Sequence, residues 1–472
     1  MIILKGDFKM KKFLLLALVV CLALALVACK QPADDNGGNT PACTDHVDNN
    51  YDGVCDNDGC GAAVEVDVLT YAEYIAAELN SHVVVDAYVQ AHQAWWDNKI
   101  TVYLADEDGA YFAYEMACSE EDAAKLTPGT KIRVYGYKAE WKGEVEIIDC
   151  AFNFLGTDTY VAEPVDLTAV LGTDDLINYQ NSLAIFRGLE FVSLEYNGGN
   201  PGNDIYVTVK QGETEFKFCV EVYLTGPDSD VYATVGALQP GDIVDLEGFV
   251  YWYNGVNPHI TSVTKYNTQA EYEAAELNTE VLLVSYVQGK QSWWDNKGTF
   301  YLQSPDGAIF AYEMACTEEV YNTLTVGTRV AVHGFKSEWK GEVELMDGEI
   351  YYLGGDTYVA EPLDITDKLG TDEIIGYQNM LVKFTDMTIK SIEYKNGQPG
   401  DDVYITLTKD GAEYSFCVEI YLTGKNTDLY KLLPELWTTD ANANGDVIDV
   451  VCFLYWYDGM NPHIVAIENI NE

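Results

Sequence analysis

The sequence predicts an all-β protein with short helices, built as two tandem copies of a two-module unit, so that four five-stranded barrels follow one another. Two observations carry this. First, Trp95-Trp96-Asp97-Asn98-Lys99 reappears as Trp293-Trp294-Asp295-Asn296-Lys297, and Tyr179-Gln180-Asn181 reappears at the same spacing as Tyr377-Gln378-Asn379. Asn257-Pro258-His259-Ile260 recurs as Asn461-Pro462-His463-Ile464 with the spacing grown by six residues, which places a polar insertion in a surface loop around Pro434 to Asn444. A repeat this long is a duplicated set of domains, because solenoid units run to roughly 20 to 50 residues. Second, apolar and polar residues alternate in short runs bounded by Gly, Pro and Asp turn signals, the pattern of strands with one buried face.

Along the chain, Lys9, Lys11 and Lys12 precede the apolar run Phe13 to Val27, which stops at Leu26-Val27-Ala28-Cys29. The run is shorter than the roughly 20 residues a membrane span needs, and polar sequence follows at once. It resembles a bacterial lipoprotein signal whose lipobox ends in the cysteine that is lipidated. The resemblance implies a signal peptide over residues 1–28, a lipid on Cys29 that anchors the protein to the membrane, and an extracytoplasmic location at the cell surface. Residues 29–41, with Gln31-Pro32-Ala33-Asp34-Asp35-Asn36-Gly37-Gly38, read as a flexible tether.

Residues 42–65 form a small Cys/His/Asp-rich module. Asp48-x-Asn50-x-Asp52-Gly53 has the oxygen spacing of a calcium loop, with Asp56 at the place of the ninth ligand, although Gly59 stands where a bidentate glutamate is required. Cys43, His46, Cys55 and Cys60 supply the number and softness of donors for a closed tetrahedral zinc site. The segment resembles short Cys-x2-His-x-Asp-x-Asn-x-Asp-Gly modules that follow the anchor of bacterial surface proteins. Zn or Ca is expected within residues 42–61, with an acidic turn held by one disulfide as the alternative.

The first module of copy one reads as strands at Ser81 to Gln90, Ile100 to Ala105, Ala110 to Met116, Lys131 to Tyr137 and Glu144 to Phe154, with a helix over Ser119 to Leu126. Five strands with one helix between the third and fourth is the order of the OB-fold. The stretch Lys125-Leu126-x-x-Gly129-x-Lys131-Ile132-x-Val134-x-Gly136, followed by Gly143-Glu144-Val145-Glu146-Ile147, resembles OB-fold domains of bacterial secreted proteins and lipoproteins. The second module repeats the plan more loosely, with strands from Leu183, Asp204, Glu215, Asp242 and His259 and a helical link near Val231 to Leu238. The expected OB-like domains are therefore 66–163, 164–265, 266–361 and 362–472. An immunoglobulin-like array is the rival, but it requires about seven strands per module and no inserted helix.

An OB barrel offers ligands the face of its second and third strands and the loops joining strands one to two and four to five. The tryptophan pairs fall in the first loop, and Trp141 and Trp339 in the second. Trp95, Trp96 and Trp141 are thus expected on one rim, and Trp293, Trp294 and Trp339 on its twin. Aromatic rims stack sugar rings, and Asp97, Asn98, Asp295 and Asn296 supply hydrogen bonds to hydroxyls. The alternative reading has these indoles closing barrel ends.

With 76 acidic against 27 basic residues the formal charge is −49, more negative still once residues 1–28 are removed. Such a field repels phosphates, so no nucleic-acid partner is expected. The 48% of hydrophobic residues, with 34 Tyr and 9 Trp, rules for a folded body over a disordered acidic chain. No nucleophile motif, zinc-protease motif or phosphate loop is present, and Glu144 and Glu146, adjacent on one face, do not flank a substrate as glycoside hydrolysis requires. An enzyme is not expected. The reading is a lipid-anchored protein whose tandem OB-like domains capture a glycan or peptide, with a structural spacer or assembly subunit as the alternative.

Overall fold

A computed structural model describes residues 45–57, 60–436 and 446–471. The signal, Cys29, the tether and Cys43 lie outside the described residues. The chain divides into two compact units, Met1–Val66 and Asp67–Glu472.

The larger unit is all-β with short helices and contains four successive sheets. In the first, α1 (Tyr71–Ala76) precedes β1 (His82–His92), β2 (Lys99–Ala105), β3 (Ala110–Ala117), α2 (Glu120–Ala123), β4 (Thr130–Trp141) and β5 (Glu144–Thr159). The strands close in the order β1-β2-β3-β5-β4, with β3 and β5 parallel and the remaining pairs antiparallel. This is the predicted OB-like barrel. Strand β1 shows why it forms: Val83, Val85, Ala87 and Val89 fall on one face and all are buried. Thr70 and Glu73 form a capping box that starts α1. The Lys138 ammonium closes the other end by donating to the carbonyls of Tyr74, Ile75 and Ala77 at 2.7 to 2.9 Å.

The second sheet comprises β6 (Val165–Asp166), β7 (Leu183–Tyr196), β8 (Ile205–Gln211), β9 (Thr214–Val220), α3 (Val222–Thr225), α4 (Asp230–Ala237), β10 (Ile243–Phe249) and β11 (His259–Lys265). Pairing of β10 with β7 closes the ring, and two-residue β6 lies parallel on the outside of β7. Copy two repeats the pattern. Its first barrel holds α5 (Gln269–Ala274), β12 (Glu280–Lys290), β13 (Lys297–Ser304), β14 (Gly307–Ala315), α6 (Glu318–Thr323), β15 (Thr328–Trp339) and β16 (Glu342–Thr357). Its second holds β17 (Leu363–Asp364), β18 (Leu381–Tyr394), β19 (Val403–Lys409), β20 (Ala412–Val418), α7 (Ile420–Thr423), α8 (Asp428–Leu436), β21 (Val447–Phe453) and β22 (His463–Asn471). Each barrel has its own apolar core. Among the described residues no helix is long and apolar enough to cross a membrane.

Smaller aromatic clusters join the barrels. Tyr103 stacks on Phe249 at 4.1 Å with 10° between the rings, and Tyr301 stacks on Phe453 at 4.2 Å and 4°. The Tyr103 hydroxyl is hydrogen-bonded to His259 Nδ1 at 2.8 Å and Tyr301 to His463 at 2.9 Å, which accounts for both repeated histidines. Between the copies, Arg187 lies 4.3 Å from the Tyr351 ring centre and pairs with Asp245 at 2.9 Å, while Arg329 donates to the Gly188 carbonyl at 3.1 Å. Gly188 sits at φ +61°, and a Cβ there would meet Leu353 at 2.7 Å, so the contact between copies requires glycine.

In the smaller unit, residues 45–57 and 60–66 form a compact turn. The Cys55 amide donates to Ala62, the Val64 amide donates to Gly53, and Val54 bridges Ala63.

Candidate functional site

The repeated Trp-Trp-Asp-Asn-Lys motif is a tight hairpin. Asp97 and Asn98 take left-handed φ values of 44° and 62°, and Trp96 and Lys99 exchange both backbone hydrogen bonds, at 2.8 and 3.1 Å. Asp295 and Asn296 do the same. A two-residue loop with both residues at positive φ matches the twist of its strands, and Asp and Asn tolerate that conformation. These residues are therefore accounted for by turn chemistry. Lys142 and Gly143, at φ 57° and 96°, likewise turn β4 into β5 and set Trp141 at the strand end.

The structure separates the two members of each tryptophan pair. Trp95 is half-buried against the core of the first barrel, and its indole N–H donates to the Cys118 carbonyl at 2.9 Å; Trp293 donates to Cys316 at 3.1 Å. Their neighbours Trp96 and Trp294 are 51% and 53% exposed, and Trp141 and Trp339 are 57% and 58% exposed. So of the three indoles expected on each rim, two are exposed and one is half-buried.

Two adjoining clefts lie beside the exposed indoles of copy one. The larger, about 960 Å³, is lined by Trp141, Tyr114, Glu146, Asp149 and Tyr251 among others. The smaller, about 560 Å³, is lined by Trp96, Phe112, Glu221, Tyr223 and His259. Tyr114, Glu115 and Tyr251 belong to both. The walls come from both barrels, so the site is a junction between modules and not the rim of one barrel. The sequence reading placed none of Tyr114, Glu146, Glu221, Tyr223 and Tyr251 in a binding site. The repeat contained the signal, since the same residue types stand at Tyr312, Glu344, Glu419, Tyr421 and Tyr455.

Carboxylates dominate the polar lining. Burial pushes Glu221 up to about 7 even though the Gln93 amide donates to both of its oxygens at 2.9 Å. Burial lowers His259 to about 3, so a neutral imidazole lies 3.5 Å from Glu221. Lys99 pairs with Glu115 at 2.7 Å and lies 5.6 Å from the Trp96 ring centre. Glu144 and Glu146, read from sequence as one adjacent pair, have different surroundings. Glu144 is fully buried, and its Oε2 accepts from the Trp252 amide at 2.8 Å and from Gln180 at 3.4 Å. Glu342 accepts from Trp456 at 2.7 Å and from Gln378 at 3.2 Å. These buried carboxyls latch each first barrel to its second, and the repeated Tyr-Gln-Asn motif supplies the latch partners. Glu146 opens into the cleft.

The smaller unit brings three soft donors together. His46, Cys55 and Cys60 have ligand atoms all within 4.8 Å of one another, and His46 Nδ1 is 3.2 Å from Cys60 Sγ. Burial raises the Cys55 thiol, but hydrogen bonds from the Asn57 amide and from the His46 and Cys60 side chains outweigh it and hold the group below its usual value. The oxygen set has other partners. Asp48 accepts from the amides of Asp52 at 3.2 Å and Gly53 at 2.9 Å, Asp52 accepts from the amide of Val54 and the side chain of Asn50, and Asp56 accepts from the amide of Asn49. Among the described residues, Asp48, Asp52 and Asp56 form no group close enough to share an ion.

No family model matches the chain, and no curated protein matches it. Solved structures do. One described as the molecular basis for abrogation of activation of pro-inflammatory cytokines shares 13% identity over 40% of this chain and 95% of its own, with a TM-score of 0.22. A murine DNA binding protein bound with ds DNA shares 10% over 38% and 97%, with a TM-score of 0.16. A Replication Protein A heterotrimer bound to ssDNA shares 10% over 83% and 94%, with a TM-score of 0.20. Two of these neighbours are bound to DNA, against the expectation that nucleic acid is no partner, and that expectation is withdrawn. That expectation rested on net charge, which sums the whole chain, whereas a groove presents only its local potential. At such TM-scores the likeness assigns no ligand to this protein.

Proposed function

We propose that this is a lipid-anchored, extracytoplasmic, non-catalytic binding protein, in which the module junction of each copy captures a peptide or glycan. The observation that carries the reading is the pair of exposed indoles, Trp96 and Trp141, beside an aromatic and carboxylate-lined cleft, with Trp294 and Trp339 at the same positions of copy two. Exposed aromatics beside a concave surface lose water on stacking and contribute to a complex, while adding little to the fold. The lipobox resemblance at Leu26-Val27-Ala28-Cys29 supports the anchor. In the smaller unit, His46, Cys55 and Cys60 suit zinc better than calcium, because the donors are nitrogen and sulfur while the carboxylates bind their own backbone. Zinc held there would fix the turn.

An array carrying peptides, glycans and single-stranded oligonucleotides, probed with the full chain, tests the reading. Signal on peptides or glycans should fall when Trp96 and Trp141, with Trp294 and Trp339, become Ala. Signal confined to oligonucleotides would replace the ligand class. Silence on all three would favour the spacer, whose junctions only hold barrels together.

A further inference from the structure

Among the described residues, the most deeply set carboxyl of the larger cleft has no partner. Glu146 is 8% exposed and Glu344, its counterpart in copy two, is 7% exposed, yet among the described residues neither has a hydrogen-bond donor or a paired cation. Burial alone raises both groups, each to about 7. A largely covered, unpaired carboxyl is costly to keep charged, and a cation that reaches it offsets part of that cost. Glu146 differs in this from Glu144 two residues earlier, which takes the Trp252 amide. It also faces a cleft whose lining includes Asp97, Glu115 and Asp149 but a single cation, Lys99.

The cleft already shows how it holds an ammonium group. Lys99 Nζ sits 2.7 Å from Glu115 and 5.6 Å from the Trp96 ring centre, and Lys297 sits 2.9 Å from Glu313 and 5.8 Å from Trp294. Carboxylate on one side and an aromatic face on the other is the environment a desolvated ammonium prefers. Trp141, Tyr114 and Tyr251 line the same cleft as Glu146; Lys142 Nζ lies 5.8 Å from the Trp141 ring centre, but it is no partner of Glu146.

We propose that Glu146, and Glu344 in copy two, receive the side-chain ammonium of a lysine-bearing peptide, whose methylene stem lies on the exposed indole of Trp141 or Trp339. This rests on ligand capture at the module junctions. A neutral sugar can donate hydrogen bonds to Glu146 but leaves the charge excess of the cleft unanswered, so the lining favours the cation. The field of a chain at −49 brings cations toward it.

Calorimetric titration of the full chain with tetralysine, with tetralysine acetylated on its side chains, and with an N-acetylglucosamine tetramer tests the assignment. Tetralysine should bind, and acetylation should weaken it by about tenfold or more, as loss of a charged hydrogen bond does. The double variant Glu146→Gln with Glu344→Gln should show the same loss with an unfolding midpoint no lower than the parent's. The variant removes only two charges from the field, so attraction to net charge alone leaves its affinity unchanged, and that result overturns the assignment. The acetylated peptide uses the parent chain and stands whether or not the variant folds. Equal binding of both peptides, or binding of the N-acetylglucosamine tetramer without tetralysine, also overturns the lysine assignment. Neither result touches ligand capture at the exposed indoles, which the array decides.

Discussion

Replacing the latch carboxyl Glu144 with Gln should change how stability depends on pH. Glu144 is fully buried, its Oε1 has no hydrogen-bond partner among the described residues, and burial pushes it from 4.5 up to about 8. The folded chain therefore holds a proton that the unfolded chain has released. A raised folded value means that the stability contributed by this group is fully present below about 4.5 and is lost as pH rises through about 8. Each pH unit is worth about 1.4 kcal/mol, so the carboxyl costs the fold about 3 kcal/mol between pH 4.5 and 7 and about 5 kcal/mol by pH 8. Glutamine keeps the shape and the carbonyl that accepts from the Trp252 amide, and it has no proton to lose. Urea unfolding at pH 5, 7 and 8.5 should show a variant-minus-parent difference that climbs steadily in favour of Glu144→Gln, with the same trend for Glu342→Gln. Glu146, Glu221, Glu344 and Glu419 add slope of the same sign to both proteins and cancel in the difference. Parallel curves would refute the assignment of Glu144 as a protonated latch.

Adjacent tryptophans should behave oppositely. Trp95→Ala should cost about 3 kcal/mol in denaturant unfolding, and Trp96→Ala about 0.5 kcal/mol or less, because only Trp95 packs on the core and donates to Cys118. Elemental analysis of dialysed full-length protein should find stoichiometric zinc that is lost in Cys55→Ser and His46→Ala and retained in Asp52→Ala, whose carboxylate serves the turn. Cys29→Ala should move the protein from the membrane pellet to the soluble fraction in detergent-free buffer, and continued sedimentation would remove the lipid anchor from the account.

The duplication, the succession of strands and the turns are legible in the chain, because each leaves a local pattern of residues. Val83, Val85, Ala87 and Val89 choose a face by period two, and Asp97-Asn98 close a hairpin through their own tolerance of positive φ. The same locality left the site half-legible. Alternation says that Trp95 and Trp96 point to opposite faces but not which face is covered, and the Cys118 carbonyl that settles it lies 23 residues further on. Glu144 and Glu146 share a face on one strand, and only the arrival of the Trp252 amide, 108 residues away, makes one a latch and leaves the other open to the cleft. The cleft itself exists because Tyr103 stacks on Phe249 and sets one barrel against the next. Packing between distant segments has no short-range signature in the chain, so the tertiary structure alone decided where two barrels meet and which side chains face the gap between them.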